Sequence, residues 1–379
     1  TPSSERLLKL KVCDPAMGSG HFLVAAVDHI EQGFTQYLSK RPLSGVRAEL
    51  AKLRSSAADA LGPLAEQVQI EDTQLLRRLI ARRCIYGVDL NPVAVTLARV
   101  SIWIHTFVPG LPLSLLDHNL TCGNSLVGIG QLSELHEIVT AEDARRQRAG
   151  RIHQHAMFTV DAARLLGPAL EPLRRLQRIA DTTAAEVKLA RNAMKEARNA
   201  VAPAEALCDI AAACRMAGEV LPIDLDQWEK VKETIVDSRH HKEAKKTLAD
   251  LSPLHFPIAF PEVFLRERSG FDLIVGNPPW QEATLEEHAF WARHFPGLRS
   301  MNQRDQERMK ARLRHDRADL GVLYEKELAE AGALRRALTT GPYPGMGTGD
   351  PDLYKAFCWR FVNLVSAESG WIGVVLPRS

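Results

Sequence analysis

Asn277-Pro278-Pro279-Trp280 is the stretch whose residue types carry the most specific chemistry. An exocyclic aromatic amine is a weak nucleophile, because its lone pair is delocalised into the ring. The side-chain carbonyl of Asn277 and the backbone carbonyl of Pro278 can accept its two N–H bonds and draw the nitrogen towards a tetrahedral shape. Consecutive prolines stiffen the loop and remove a competing backbone donor. Trp280 offers a flat apolar surface on which a base turned out of its stack can lie. No strong base is required, since the proton can leave once a methyl group has arrived and the nitrogen is cationic. Catalysis would rest on orientation and electrostatics. The blander alternative is a proline-terminated core strand with a buried Trp.

A second stretch, Asp14-Pro15-Ala16-Met17-Gly18-Ser19-Gly20, lies between an apolar run and a helical one. Gly18 and Gly20 permit a tight turn and a close approach of ligand to the helix N-terminus. The spacing is not GxGxxG, which disfavours a nicotinamide dinucleotide. Asp89, followed by Leu90, ends another apolar run, where a carboxylate can accept hydrogen bonds from ribose hydroxyls. The alternative there is a helix N-cap, from Asp89 or Asn91, ahead of Pro92. Asn124 ends a third run; it can bond the adenine of a nucleoside cofactor or form a turn before Gly128 and Gly130.

The elements that must position these residues are legible as short apolar runs: 8–15, 83–92, 119–126, 271–279 and 370–377. Continuous rather than alternating apolar runs suit strands buried on both faces of a parallel sheet. Helical stretches at 21–34, 92–107 and 352–366 alternate with them, which predicts an α/β fold with a doubly wound, Rossmann-like sheet. Ligands bind such a sheet at the carboxyl ends of its strands, where the polar residues above collect. Residues 131–255 read as a large helical insertion. It divides a cofactor-binding half, 1–130, from a catalytic half, 256–379. Residues 35–80 are rich in Ala, Leu and Arg, and 281–350 form a polar segment ending in the glycine cluster 341–350.

The remaining signals are ordinary. A chain of 379 residues can bury a sizeable core, and its formal charge of +2 neither requires nor excludes a nucleic-acid partner. Six scattered cysteines without a CxxC pair suggest reduced thiols in a cytoplasm. The apolar run 100–116 is too short, and too broken by Pro and Gly, to span a bilayer. His240 and His241 lie in a charged stretch and are expected to face solvent, and Asp272 to be a strand-edge polar residue. The Arg runs at 145–151 and 304–317 read as solvated helix faces that could also meet phosphates. Neither a metal-ligand spacing nor a nuclease carboxylate cluster stands out.

With these pieces in order, the sequence resembles the class I amino-methyltransferases. More narrowly it resembles the adenine-N6 DNA methyltransferases of fused restriction-modification enzymes and of the BREX and DISARM phage-defence systems. The matching stretches are DPAMGSGHFLVAA, YGVDLNPVAVTLARVSIWIHT, LTCGNSLVG, FPEVF, FDLIVGNPPW, DPDLYKAF and GWIGVVLP. The resemblance implies S-adenosyl-L-methionine as cofactor, its methionine part held by Asp14, Pro15, Ala16, Gly18 and Gly20. Asp89 and Leu90 would meet the ribose side and Asn124 the cofactor adenine. Asn277, Pro278, Pro279 and Trp280 would hold the target base. Many relatives carry Cys where Met17 stands and Asp where Asn124 stands, and Thr1-Pro2 matches only the end of the family's Tyr-Thr-Pro segment. Further strands and a target-recognition domain are expected beyond Ser379.

The expected partner is double-stranded DNA, with other defence-system subunits and no membrane. A protein glutamine-N5 methyltransferase shares the loop chemistry but is compact, without such helical segments. Cytosine-N4 enzymes usually begin the loop with Ser, and cytosine-C5 methylation needs a Pro-Cys nucleophile that this chain lacks. A non-catalytic cofactor-sensing or DNA-binding subunit is the reading from another class; the intact loops argue against it.

Overall fold

The computed structural model describes residues 7–113, 116–135, 138, 162–219, 221–346 and 351–378. Thr1-Pro2 and the Arg run at 145–151 lie outside them, as do the last four residues of the glycine cluster. Five strands form one parallel sheet: β1 (Val12–Asp14), β2 (Ile85–Asp89), β3 (Leu120–Cys122), β4 (Leu273–Gly276) and β5 (Trp371–Val374). Their order is β3-β2-β1-β4-β5. The chain therefore builds outwards from β1 on one side and then returns to start again on the other. All five apolar runs supply a strand, and each strand is shorter than its run because the flanking residues turn into loops at the carboxyl edge.

The helices of eight or more residues are α1 (His21–Lys40), α2 (Ser44–Leu61), α3 (Asp72–Cys84), α4 (Pro92–His105), α5 (Leu170–Arg178), α6 (Ala184–Ala217), α7 (Arg239–Leu248), α8 (Glu287–His294), α9 (Gln303–Asp316), α10 (Ala318–Thr340) and α11 (Leu353–Leu364). Local chemistry fixes several ends. Asn91 caps α4, its side chain accepting from Val93 N–H at 2.9 Å, and Pro92 occupies the first turn, where a missing N–H costs nothing. Thr183 caps α6 in the same way, and Gly218 ends it at φ 66°.

The sheet is covered on two faces from β3 to β4, whereas the edge strand β5 is largely exposed, with Trp371 76% accessible. Val12, Ile85 and Leu120 pack with Leu23 and Val27 of α1, Leu75 and Leu79 of α3, and Val95 and Ala98 of α4. On the other face, Cys13, Tyr86 and Ile274 meet Phe256, Phe260, Phe271 and Phe361. Tyr86, Phe260, Phe264 and Phe271 stack edge-on or tilted, with centroids 5.1–6.0 Å apart. The FPEVF stretch thus supplies aromatic cover for the sheet.

Two further cores lie outside the sheet. Helices α5–α7 close over Ala190, Ala193, Leu207, Ile210, Trp228 and Leu248. Helices α8–α10 gather around Phe290, Trp291, Leu298 and Leu320. Within this second region only the helix face at 304–317 was expected, because fifteen charged positions on α9 and α10 obscure a few large anchors. His241 corrects an expectation: it is only 4% exposed, because α7 turns His241, Ala244 and Leu248 inwards at i, i+3 and i+7. Its ring contacts Asp209 of α6 and the carbonyl of Val236, while His240 remains exposed. Asp272 lies at the amino edge of β4, as expected, but inside the fold. It is buried, accepts from the Lys11 N–H at 2.8 Å and pairs with Arg266 at 2.8 Å. Among the described residues no helix is long and apolar enough to cross a membrane.

Candidate active site

Because the strand order reverses between β1 and β4, their carboxyl ends diverge into loops on opposite sides, leaving a crevice between. Asp14 ends β1 and Gly276 ends β4. Asp14 is 1% exposed; its Oδ1 accepts from Ala16 N–H at 3.0 Å, and its Oδ2 has no partner. Burial pushes this carboxyl up to about 7; the Ala16 N–H opposes the rise and the nearby Asp89 charge adds to it. Gly276 has φ 151°, and a Cβ there would lie 2.6 Å from Asp14 Oδ1. Only glycine lets the two strand ends approach this closely.

The loop from Asp14 to Gly20 is held by its backbone. Met17 N–H donates to the Val88 carbonyl at 2.9 Å and Gly20 N–H to the Met17 carbonyl at 2.8 Å. Gly20, at φ 85°, precedes α1 without a side-chain cap, and a Cβ there would approach Ala98 of α4 to 3.1 Å. The first turn of α1 therefore presents uncapped N–H groups to the crevice. Asp89 Oδ2 accepts from Gly18 N–H at 2.9 Å, and Oδ1 from Asn91 N–H at 2.8 Å. The carboxylate thereby ties the β1 loop to the end of β2, each oxygen keeping a further lone pair. The helix cap itself is Asn91, not Asp89. Leu90 stands beside it, 55% exposed.

Asn124 lies on the same edge but inside the fold. Its Oδ1 accepts from Leu126 N–H at 3.0 Å, an Asx turn. Its backbone pairs with Ser252 at 2.7 Å and Leu254 at 3.2 Å. Next to it, Ser125 donates to the Pro15 carbonyl at 2.7 Å, so the β3 loop braces the β1 loop. Arg360 of α11 holds this region from beneath, donating to the Gly128 carbonyl at 2.9 Å and to Glu134 at 2.7 Å. Sequence reasoning missed Ser125 and Arg360: neither belongs to a chemical motif, although Ser125 lies inside the GNSLVG match.

The second loop is exposed at its two ends. Asn277 is exposed, Pro278 buried, Pro279 half-buried, and Trp280 50% exposed. Its entry is pinned by β5, with Val375 N–H donating to the Gly276 carbonyl at 3.0 Å. Its exit pairs with the DPDLYKAF stretch: Leu353 N–H donates to the Gln281 carbonyl at 3.0 Å, and Ala283 N–H to that of Pro351 at 2.9 Å. That stretch therefore helps to position the loop.

At the opposite, amino ends of the strands lies a cleft of about 1180 Å³, lined by Lys11, Arg83, Glu262 and Arg266 among others; no predicted site residue reaches it. Glu262, from FPEVF, accepts there from Tyr86 at 2.9 Å and bonds His118 at 2.8 Å. Burial alone would raise its pKa, but the charges of His118 and Lys11 and the His118 hydrogen bond hold it at about 2.

This crevice, with a glycine loop on one side and an Asn-Pro-Pro-Trp loop on the other, sits in a protein of known kind. Residues 83–310, well over half of the chain, match the Eco57I restriction-modification methylase family, and the chain belongs to that family. The match takes in Asp89, Asn124 and Asn277–Trp280 and begins downstream of the Asp14–Gly20 loop. The chain is also similar to a protein of Methanocaldococcus jannaschii that carries the provisional name of a type II restriction enzyme and methyltransferase. The two are 22% identical over 305 residues, 73% of this chain and 22% of the relative. The chain thus spans about a fifth of the length of that curated relative.

Proposed function

We propose that this chain is the catalytic core of a methyltransferase that moves a methyl group from S-adenosyl-L-methionine to N6 of adenine in double-stranded DNA, with the target base flipped out. The observation that carries the reading is the meeting of Asp14 and Gly276, which sets the glycine loop and the Asn277 loop on the two walls of one crevice. In this reading the doubly wound sheet comprises a cofactor half, 1–130, and a catalytic half, 256–379, with 131–255 as a helical insertion. The setting is a bacterial cytoplasm, in a restriction-modification or phage-defence system.

The residues of the first wall fit the cofactor. A buried carboxylate oxygen of Asp14 lacks a partner, as an ammonium donor would require, and the open N–H groups of α1 suit a carboxylate. Pro15, Ala16, Gly18 and Gly20 shape that wall. Asp89 keeps lone pairs for ribose hydroxyls, and Leu90 gives an exposed apolar surface for a flat ring. Asn124 lines the adenine side, with its Oδ1 also engaged in the turn. S-adenosyl-L-methionine, when bound, supplies an electrophilic methyl group.

The second wall acts on the acceptor. Asn277 and the Pro278 carbonyl accept the two N–H bonds of the adenine amine and orient its lone pair. Pro279 keeps the loop stiff and Trp280 stacks on the flipped base. Asn rather than Ser at 277 favours adenine over cytosine.

The test is to incubate full-length protein with labelled cofactor and duplex DNA and analyse the nucleosides. Label in N6-methyladenine is expected. Label in cytosine or in protein alone would overturn the adenine assignment. Asn277→Ala should abolish transfer while leaving cofactor affinity, measured by calorimetry, within a few-fold of the unaltered protein; surviving transfer would remove Asn277 from its role.

A further inference from the structure

Helix α6 carries Lys188, Arg191, Lys195 and Arg198 at spacings of 3, 4 and 3 residues, which aligns them on one helix face. All four are exposed, and among the described residues none has a hydrogen-bond or ion-pair partner. Acidic residues of the same stretch are used elsewhere: Glu186 bonds Thr182 and Lys52, and Glu196 pairs with Arg175 of α5. Like charges three and four residues apart destabilise a helix, so this row has a cost that no contact within the fold offsets.

The row is also fixed relative to the catalytic edge. Asp209, on the same helix, is bonded by His241 at 3.1 Å and by His255 at 3.0 Å. His255 accepts in turn from Ile129 N–H at 3.0 Å, and the adjoining residues 252 and 254 pair with Asn124. At the end of the row, Arg198 lines a hollow of about 340 Å³ together with Thr121 and Cys122 of β3. From Lys188 to Arg198 the helix rises about 15 Å, an axial length over which each DNA strand carries roughly four phosphates, one per 3.4 Å of duplex axis.

We propose that this face of α6 is a docking surface for the phosphate backbone of duplex DNA flanking the target base. The proposal rests on the reading of DNA as substrate. The four side chains act as point charges on successive phosphates, without reading bases.

The experiment compares full-length protein with the variant K188A/R191A/K195A/R198A. Alanine preserves helix propensity and relieves like-charge repulsion, so the variant should melt no lower than the unaltered protein. Duplex affinity is measured over a salt series by fluorescence anisotropy. Loss of three to four phosphate contacts should flatten the slope of log K against log salt by about 3, at roughly 0.9 per contact, and weaken binding at least tenfold at low salt. KM for DNA should rise while kcat and cofactor affinity hold. A variant that keeps affinity and slope within experimental scatter overturns the surface and leaves the enzymatic reading intact. Failure of the unaltered protein to bind duplex DNA at all overturns both.

Discussion

Asp14 and Gly276 confront each other across the two central strands so closely that a single added methyl group at 276 would press to 2.6 Å from the carboxylate. The contact couples the wall that would hold the methyl donor to the strand that carries Asn277. Neither residue can change without disturbing the other.

Gly276→Ala should therefore act twice. Its φ of 151° disfavours any side chain and the new Cβ collides with Asp14, so a loss of about 1–3 kcal/mol is expected. Chemical denaturation would read that loss, and calorimetry should show weakened cofactor binding. An unchanged midpoint and unchanged affinity would mean that the strand ends are looser than described.

Asp14 should leave a mark on pH dependence. Its carboxyl is raised in the fold to about 7, above the ordinary 3.8 of an unfolded chain. Between those values the folded state holds a proton that the unfolded state has released. Stability from this group is thus fully present below about pH 4 and lost as pH rises through 7. Asp14→Asn should flatten that slope and be a few kcal/mol more stable than the unaltered protein above pH 7, while binding cofactor more weakly. If a cationic group of the cofactor meets Asp14, binding near pH 6.5 should release a proton, detectable as binding heats that vary with the buffer's ionisation enthalpy.

Glu262 has the opposite sign. Its carboxyl is depressed to about 2 from 4.5, so its contribution is present above about pH 4.5 and disappears as pH falls through 2. Glu262→Ala leaves His118, Tyr86 and Lys11 facing an empty buried site and should cost about 3–5 kcal/mol at neutral pH. The measurement is a denaturant midpoint at pH 7 and at pH 3; a loss equal at both values would contradict the charge-based account.

Arg360 is fully buried beneath the β3 loop and donates to Glu134, Gly128 and Tyr343. Arg360→Met keeps much of the volume but leaves buried Glu134 with Arg215 as its remaining cationic partner and removes the donor to the Gly128 carbonyl. A destabilisation of about 3 kcal/mol is expected, with increased amide exchange at 124–130. Protection unchanged over those residues would show that the loop is held by its partner segment alone.

What could be read beforehand follows from where each signal resides. Strands β1–β4 were visible because a parallel sheet covered on both faces demands continuous apolar runs, and β5 carries the same kind of run although it is largely exposed. The loops stood out because Gly, Asp and Asn-Pro-Pro-Trp have narrow chemical uses. Contacts that depend on register were invisible: nothing in the chain pairs Gly276 with Asp14, or Ser125 with Pro15. FPEVF and DPDLYKAF were recognised as matches without roles; one proved to be aromatic cover carrying a buried carboxylate, the other a brace for the Trp280 loop. His241 was misjudged because its charged neighbours masked a helical period that turns it inwards. Of the helices in 287–340 only the one at 304–317 was anticipated, for the related reason that few apolar anchors are scattered among many charges.

The short pairing of Asn124 with Ser252 and Leu254 has a historical consequence. More than a hundred residues separate these positions in sequence, yet their backbones touch, so the sheet meets that long excursion as if it were a tight turn. Lineages could lengthen, trim or exchange what lies between without re-engineering the crevice, provided this seam stayed closed and the buried ties of Asp181 to Arg82 and of Asp209 to His255 were kept or replaced. A segment free to vary in this way is where relatives with one chemistry would be expected to diverge in what they grip.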